Sequence, residues 1–273
     1  MSRPPAAAET VDRAEFEAYA AAVAAAAGDL LPGYTSIIWK GSTFKPWDGP
    51  YDFLPGLSDL DIHVYRAGGP GDPFALRRRL LERIGPAPCD VPLQLLVLDT
   101  ATLPDWWTLV PGTYRVVAGE PPPFAVPSTE LLLERDRHGL AEARAHAEQV
   151  GAGVMTKHDE ELWSYLRGLR WMFPPVLFRA VSLCGVPPEE VWAMNRTRVL
   201  EASRAFGTLD GVRQSWVAYL DAALAACVFP GSPPEAEAAL RAGESLLRVA
   251  HEWVSGRPDR PVDRRQPTWW MKV

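Results

Sequence analysis

The chain has 273 residues, 47% of them apolar and 23% charged, with a formal net charge of −6 at pH 7. That length accommodates two ordinary domains, each able to bury a core. No apolar run approaches the roughly 20 residues a membrane span needs, and the acidic balance disfavours a long nucleic acid, whose affinity rests on Lys and Arg neutralising phosphates.

The opening MSRPPAAAET holds one arginine and no apolar segment, so neither secretion nor targeting is expected and the expected location is cytoplasmic. Thr10 can cap a helix to about Ala27, with Gly28 as its stop. YTSIIW, Tyr34 to Trp39, is β-branched and aromatic and reads as a buried strand. Pro46, Pro50 and Pro55 then impose a long loop, after which Ser58 to Tyr65 alternates as a strand. A helix over Phe74 to Ile84, ended by Gly85, leads to strands at Leu93 to Leu98 and Thr113 to Val117.

EPPPFAVP, Glu120 to Pro127, is a stiff connector and the expected domain boundary. Beyond it the pattern is helical: Ser128 to about Val150, a Thr156/Asp159 capping box leading to Met172, then 175–184, 188–206, 211–227 and 233–255. The expected plan is therefore α+β: a first domain over residues 1–120, an all-α helical bundle over 128–256, and a Pro- and Arg-rich tail over 257–273. The cysteines, Cys89, Cys184 and Cys227, are far apart and lack CxxC spacing, which points to reduced core thiols. GxxxxGK[ST], GxGxxG, GxSxG and HExxH are all absent, which removes P-loop, Rossmann, α/β-hydrolase and zincin readings.

Asp59 and Asp61 carry the chemistry. At i and i+2 on a strand they project to one face, about 6 to 7 Å apart at Cα, while Leu60, Ile62 and Val64 anchor the other. Two neighbouring carboxylates repel unless a cation lies between them, and hard oxygen ligands favour Mg²⁺ or Mn²⁺. Gly41 and Ser42, at the end of the preceding strand, add a permissive backbone and a hydroxyl suited to phosphate. Lys40 and Lys45 flank that position, and His63 shares the acidic face, either to touch a metal or phosphate or to fill the strand's polar side.

A strand, Gly-Ser, a loop and then S-D-L-D-I on the next strand resembles the nucleotidyltransferase superfamily that includes DNA polymerase beta. The layout, with a helical domain following, is most similar to bacterial aminoglycoside adenylyltransferases. The resemblance implies a nucleotidyltransferase fold with a small mixed β-sheet flanked by helices. It implies that Gly41 and Ser42 hold the β- and γ-phosphates of ATP or another nucleoside triphosphate, where the flanking Lys40 is a further nucleotide-binding candidate, and that Asp59 and Asp61 carry Mg²⁺ or Mn²⁺. An acceptor hydroxyl on a small molecule would attack the α-phosphorus, with pyrophosphate leaving. The helical domain of such enzymes lends acidic groups to a cationic acceptor, for which Glu160 and Glu161 are the candidates, although acids opening a helix also suit its dipole. A monomer or homodimer without membrane or long nucleic-acid partners is expected.

Two features depart from the family's pattern. The Ser42 to Asp59 spacing is longer than usual, its excess being a loop with Phe44, Trp47, Tyr51 and Phe53 that stacks on a ligand ring or packs the loop. The family's third carboxylate, early on the neighbouring strand, falls on Gln94, which can neither take a proton nor replace an anionic ligand. Asp90 and Asp99 are the available replacements, with Asp99, at the end of the VLD strand, preferred as the third catalytic acid. If neither serves, the chain is a degenerate nucleotidyltransferase acting as a nucleotide-binding regulator or antitoxin-like module. A sugar-nucleotide glycosyltransferase using Asp59-Leu-Asp61 is a further rival, but the strand leading into Gly41-Ser42 does not belong to that plan.

Overall fold

The structure, a computed structural model, describes residues 11–88, 91–104, 107–122 and 124–256. Thr10, Cys89, Asp90 and the 257–273 tail lie outside the described residues. Helix α1, Arg13–Leu30, is capped by Asp12, whose side chain accepts from the Ala14 N–H. It runs past Gly28: a Cβ there would meet Tyr34 Cε1 at 3.1 Å, so this glycine makes room for Tyr34 rather than ending the helix. The chain reverses instead at Gly33, with φ +78°.

Four strands follow the expected segments: β1 Tyr34–Lys40, β2 Leu60–Arg66, β3 Leu93–Asp99 and β4 Tyr114–Gly119. Their order is β3-β2-β1-β4, with β1 antiparallel to β2 and β4 and β2 parallel to β3. Helix α2, Pro73–Ile84, makes the crossover that a parallel pair requires. Alternation divides the sheet as period 2 demands. Ile37, Trp39, Leu60, Ile62 and Val64 pack with Phe16 and Val23 of α1, while Ile38 and Tyr65 point the other way onto Leu109. The molecule is thus α+β with a small mixed sheet flanked by helices.

At the end of β4, Gly119 has φ +76°, and a Cβ there would come within 2.3 Å of the Thr35 carbonyl oxygen. Backbone cannot step aside as a flexible side chain can. Gly119→Ala should therefore destabilise by more than about 2 kcal/mol in urea unfolding, and a smaller loss would mean the β1–β4 edge yields easily.

Eight helices complete the described chain around one core that includes Phe173, Leu177, Trp216 and Leu247. They are α3 Thr129–Ala141, α4 Ala143–Val154, α5 Leu162–Leu169, α6 Pro175–Ser182, α7 Pro188–Ala193, α8 Arg196–Ser203, α9 Asp210–Val228 and α10 Pro233–Ser255. Two expected helices are each divided. The 128–150 segment changes direction at Glu142, and 188–206 breaks before Asn195, which caps α8 by accepting from the Arg198 N–H at 2.9 Å. The capping box lies two residues later than expected: His158 and Glu161 form it, whereas Thr156 donates to Gly153 O at the end of α4. Cys184 and Cys227 are half-buried against the helical core. No helix among the described residues is long and apolar enough to cross a membrane.

The Pro-rich loop between β1 and β2 is shared by both halves. Leu54 and Leu57 enter the helical core. Phe44, Trp47 and Phe53 pack on the α1 side, with Trp47 stacked on Phe53 at 4.2 Å and edge-on to Phe16 at 5.5 Å. Tyr51 donates to Asp221 Oδ1 at 2.6 Å. These rings pack the loop.

Candidate active site

The corner after β1 is held tightly. Gly41 takes φ +90°, which an L side chain would strain, and its missing Cβ faces Asp61, whose Oδ2 would lie 4.0 Å away. Trp39 Nε1 donates to Thr43 Oγ1 at 3.0 Å, and Thr43 Oγ1 donates to Asp59 O at 2.9 Å, so the strand's end is tied to the first acid. Asp59 stands just ahead of β2 and Asp61 within it. Gly41, Ser42, Asp59, Asp61 and Lys40 all line one cavity of about 340 Å³.

Asp61 lies between Lys40 on β1 and Gln94 on β3 in the strand register. His63 Nε2 is 2.9 Å from Asp61 Oδ1, out of line for a regular hydrogen bond, so this enclosed oxygen has no full partner among the described residues. Burial alone would raise the Asp61 carboxyl. The adjoining imidazole and the charges of Lys40 and Arg170 outweigh it and hold the group below the ordinary value. His63 itself is fully buried, and burial with the Lys40 charge lowers its pKa, so it stays neutral near pH 7 despite Asp61. It stands behind Asp61 rather than in the cavity lining and serves as a positioning residue.

The other wall is helical. Arg170, at the end of α5, places Nη2 2.8 Å from Asp59 Oδ2. Arg196, at the start of α8 and only 7% exposed, donates Nη1–H to Tyr51 O at 2.7 Å and brings Nη2 to 3.4 Å from Ser42 Oγ. Burial works against its charge. Lys45 donates to the carbonyls of Trp192 and Met194 at 2.6 and 2.7 Å, and burial, then the Arg196 charge, brings its pKa down to about 7 against the pull of Asp52. Its ammonium is committed to the helical half rather than left beside a phosphate. The lining therefore sets Lys40, Arg170 and Arg196, with Lys45 only partly charged near pH 7, against Asp52, Asp59 and Asp61. A protein acidic overall thus gathers basic side chains at this cavity, where they roughly balance its three carboxylates.

Asp99 is not brought to this cavity. In the parallel register Gln94 faces Asp61 while Asp99 faces Arg66, five residues and about 17 Å further along the strand. There it accepts from the Gly68 and Ala101 N–H groups at 3.0 Å each and closes two turns. Glu160 and Glu161 are likewise elsewhere: they sit exposed in the turn before α5, with Glu161 accepting from the His158 N–H. Arg170, Arg196 and Asn195 do not emerge from the sequence pattern. One local signal marks Arg196: it opens a helix, where a cation opposes the dipole and needs another reason to be there.

Asp59 and Asp61 could hold a magnesium ion from the cavity side, Asp61 through Oδ2, which faces the Gly41 corner, since Oδ1 is enclosed against His63. Protein carboxylates commonly hold this ion one or two at a time with substrate phosphates completing the shell. No cluster of three or more His, Cys, Asp or Glu ligands occurs among the described residues. Compared with models of protein families, with curated proteins and with solved structures, the chain matches none.

Proposed function

We propose that the chain is a nucleotidyltransferase that uses Mg²⁺ to move a nucleoside monophosphate, with AMP from ATP as first candidate, onto a hydroxyl of a small acceptor. The observation that carries this reading is the convergence of Gly41, Ser42, Asp59 and Asp61 on a cavity whose helical wall adds Arg170 and Arg196. Gly41 and Ser42 would admit the phosphates, since no Cβ intrudes at the corner, and Lys40 and Arg196 would neutralise their charge. Asp59 and Asp61 would hold the metal, which when bound supplies charge neutralisation at the phosphate oxygens. The acceptor oxygen bonds to the α-phosphorus as the bond to the β-phosphate oxygen breaks. Pyrophosphate leaves and the hydroxyl proton passes to water. Gln94 cannot take that proton, which is tolerable because positioning and electrostatics dominate such transfers.

The test is pyrophosphate release with each nucleoside triphosphate and Mg²⁺ against a panel of hydroxylated compounds, with Asp59→Asn and Asp61→Asn as controls. If wild type and controls behave alike in every mixture, the reading fails. Arg196→Met should weaken Mg–ATP at least about tenfold in calorimetric titration, since it removes a charge-assisted contact. Unchanged affinity would remove Arg196 from the phosphate site.

A second reading has its own support: Gln94 stands beside Asp61, and Arg170 already occupies Asp59. These suit a protein that binds nucleotide as a regulator without transferring it. Mg–ATP binding without pyrophosphate release under any acceptor would select it.

A further inference from the structure

Asp59 is one of the two proposed metal ligands, yet the protein itself gives it a cation. Arg170 Nη2 lies 2.8 Å from Asp59 Oδ2, and the two side chains are 23% and 27% exposed. Arg170 comes from the helical half, 111 residues further along the chain, at the end of α5. Thr43 Oγ1 donates to Asp59 O and ties this acid to the Gly41–Ser42 corner, so the guanidinium meets it beside the corner assigned to phosphate.

The contact is built for exchange. It runs through one nitrogen rather than the two-pronged fork that arginine and carboxylate form at their strongest. Nη1 donates instead to Arg167 O in its own turn, and the enclosed Nε has no hydrogen-bond partner among the described residues. An ion pair that water reaches contributes little to stability, so giving it up costs little. The Arg170 charge, like that of Lys40, also acts on Asp61. Arg170 and Lys40 thus oppose the same two carboxylates that a divalent ion would neutralise. A divalent ion and a guanidinium on one carboxylate repel each other, more strongly at a protein surface than in bulk water. Once the ion takes Asp59, the guanidinium needs another anion, and a phosphate entering with that ion matches its planar geometry.

We infer that Arg170 is an exchange residue: a divalent ion displaces it from Asp59, and it then binds a phosphate oxygen of the nucleotide, a deduction that rests on the metal and nucleotide site proposed above. Metal alone and nucleotide should therefore respond to its removal in opposite directions. A residue that merely bridged the two halves would, on removal, weaken both.

Arg170→Met keeps an unbranched apolar stem and removes the charge. It should bind Mn²⁺ alone at least about threefold more tightly in water-proton relaxation titrations, because a competing cation is gone. It should bind the Mg²⁺ complex of the non-transferable α,β-methylene analogue of ATP at least about tenfold more weakly in calorimetry. Arg170→Gln should shift both in the same directions and carries the test if Arg170→Met does not fold. Arg170→Lys, which keeps the charge, should return both toward wild type. Mn²⁺ affinity that stays the same or falls in the neutral variants, or nucleotide affinity that does not change, overturns the inference. Pyrophosphate release reads the other question separately. Release by wild type with Mn²⁺ affinity unmoved in the neutral variants sinks the exchange and keeps the transfer reading. Opposite shifts of metal and nucleotide, with no release under any acceptor, keep the exchange and select the regulator. Wild-type protein that binds neither Mn²⁺ nor the analogue overturns both.

Discussion

Asp61→Asn should cut pyrophosphate release about a thousandfold, equivalent to about 4 kcal/mol of transition-state stabilisation. The carboxylate sits between Lys40 and Gln94 in the sheet, with His63 behind it and its Oδ1 enclosed without a regular partner. An amide fills the same space and still has an oxygen beside the neutral imidazole, but it brings no negative charge to hold a divalent ion. The loss should therefore fall on turnover and metal dependence, with the thermal unfolding midpoint nearly unchanged. Turnover within tenfold of wild type, in protein that unfolds at the wild-type temperature, would place the chemistry elsewhere.

Asp52→Ala should be the most damaging change to stability, at about 3 to 5 kcal/mol. Asp52 is 1% exposed, and its two oxygens accept four hydrogen bonds: from the Asp48 and Gly49 N–H groups at 2.9 Å each, the Thr197 N–H at 3.0 Å and Thr197 Oγ1 at 2.8 Å. One carboxylate thus folds the loop on itself and caps the start of α8, where its charge also suits the helix dipole. Truncation leaves these donors enclosed without an acceptor. It also loosens the strap whose Tyr51 carbonyl positions Arg196, so nucleotide binding should weaken with stability. For a chain of this size the thermal midpoint should fall by roughly 10 °C. A fall of only a degree or two would show that water replaces Asp52 and that the strap does not join the halves.

The four strands, α1, α2 and the long final helices are legible in the chain because each carries its own period, 2 or 3.6, together with nearby start and stop residues. The acidic pair is legible for the same reason. Alternation that sends Leu60, Ile62 and Val64 into the core leaves Asp61 and His63 on the opposite face. Local signals mislead where a residue has two uses. Gly28 serves packing against Tyr34 rather than termination, and the loop aromatics serve a core that forms only when α1 and the loop meet.

Asp99 shows the limit most clearly. Its place at a strand end is correct, yet which end of the neighbouring strand it faces depends on a pairing register that no single strand encodes. Arg170 and Arg196 lie 111 and 154 residues from Asp59 and Ser42, the groups they meet. Periodicity describes how neighbours along the chain share a face, whereas charges separated by that much chain come together only through packing of the helical half onto the loop. Residue order alone thus names the acids and the Gly-Ser corner. Their basic counterparts come from long-range packing, because electrostatic complementarity is a property of distances in space.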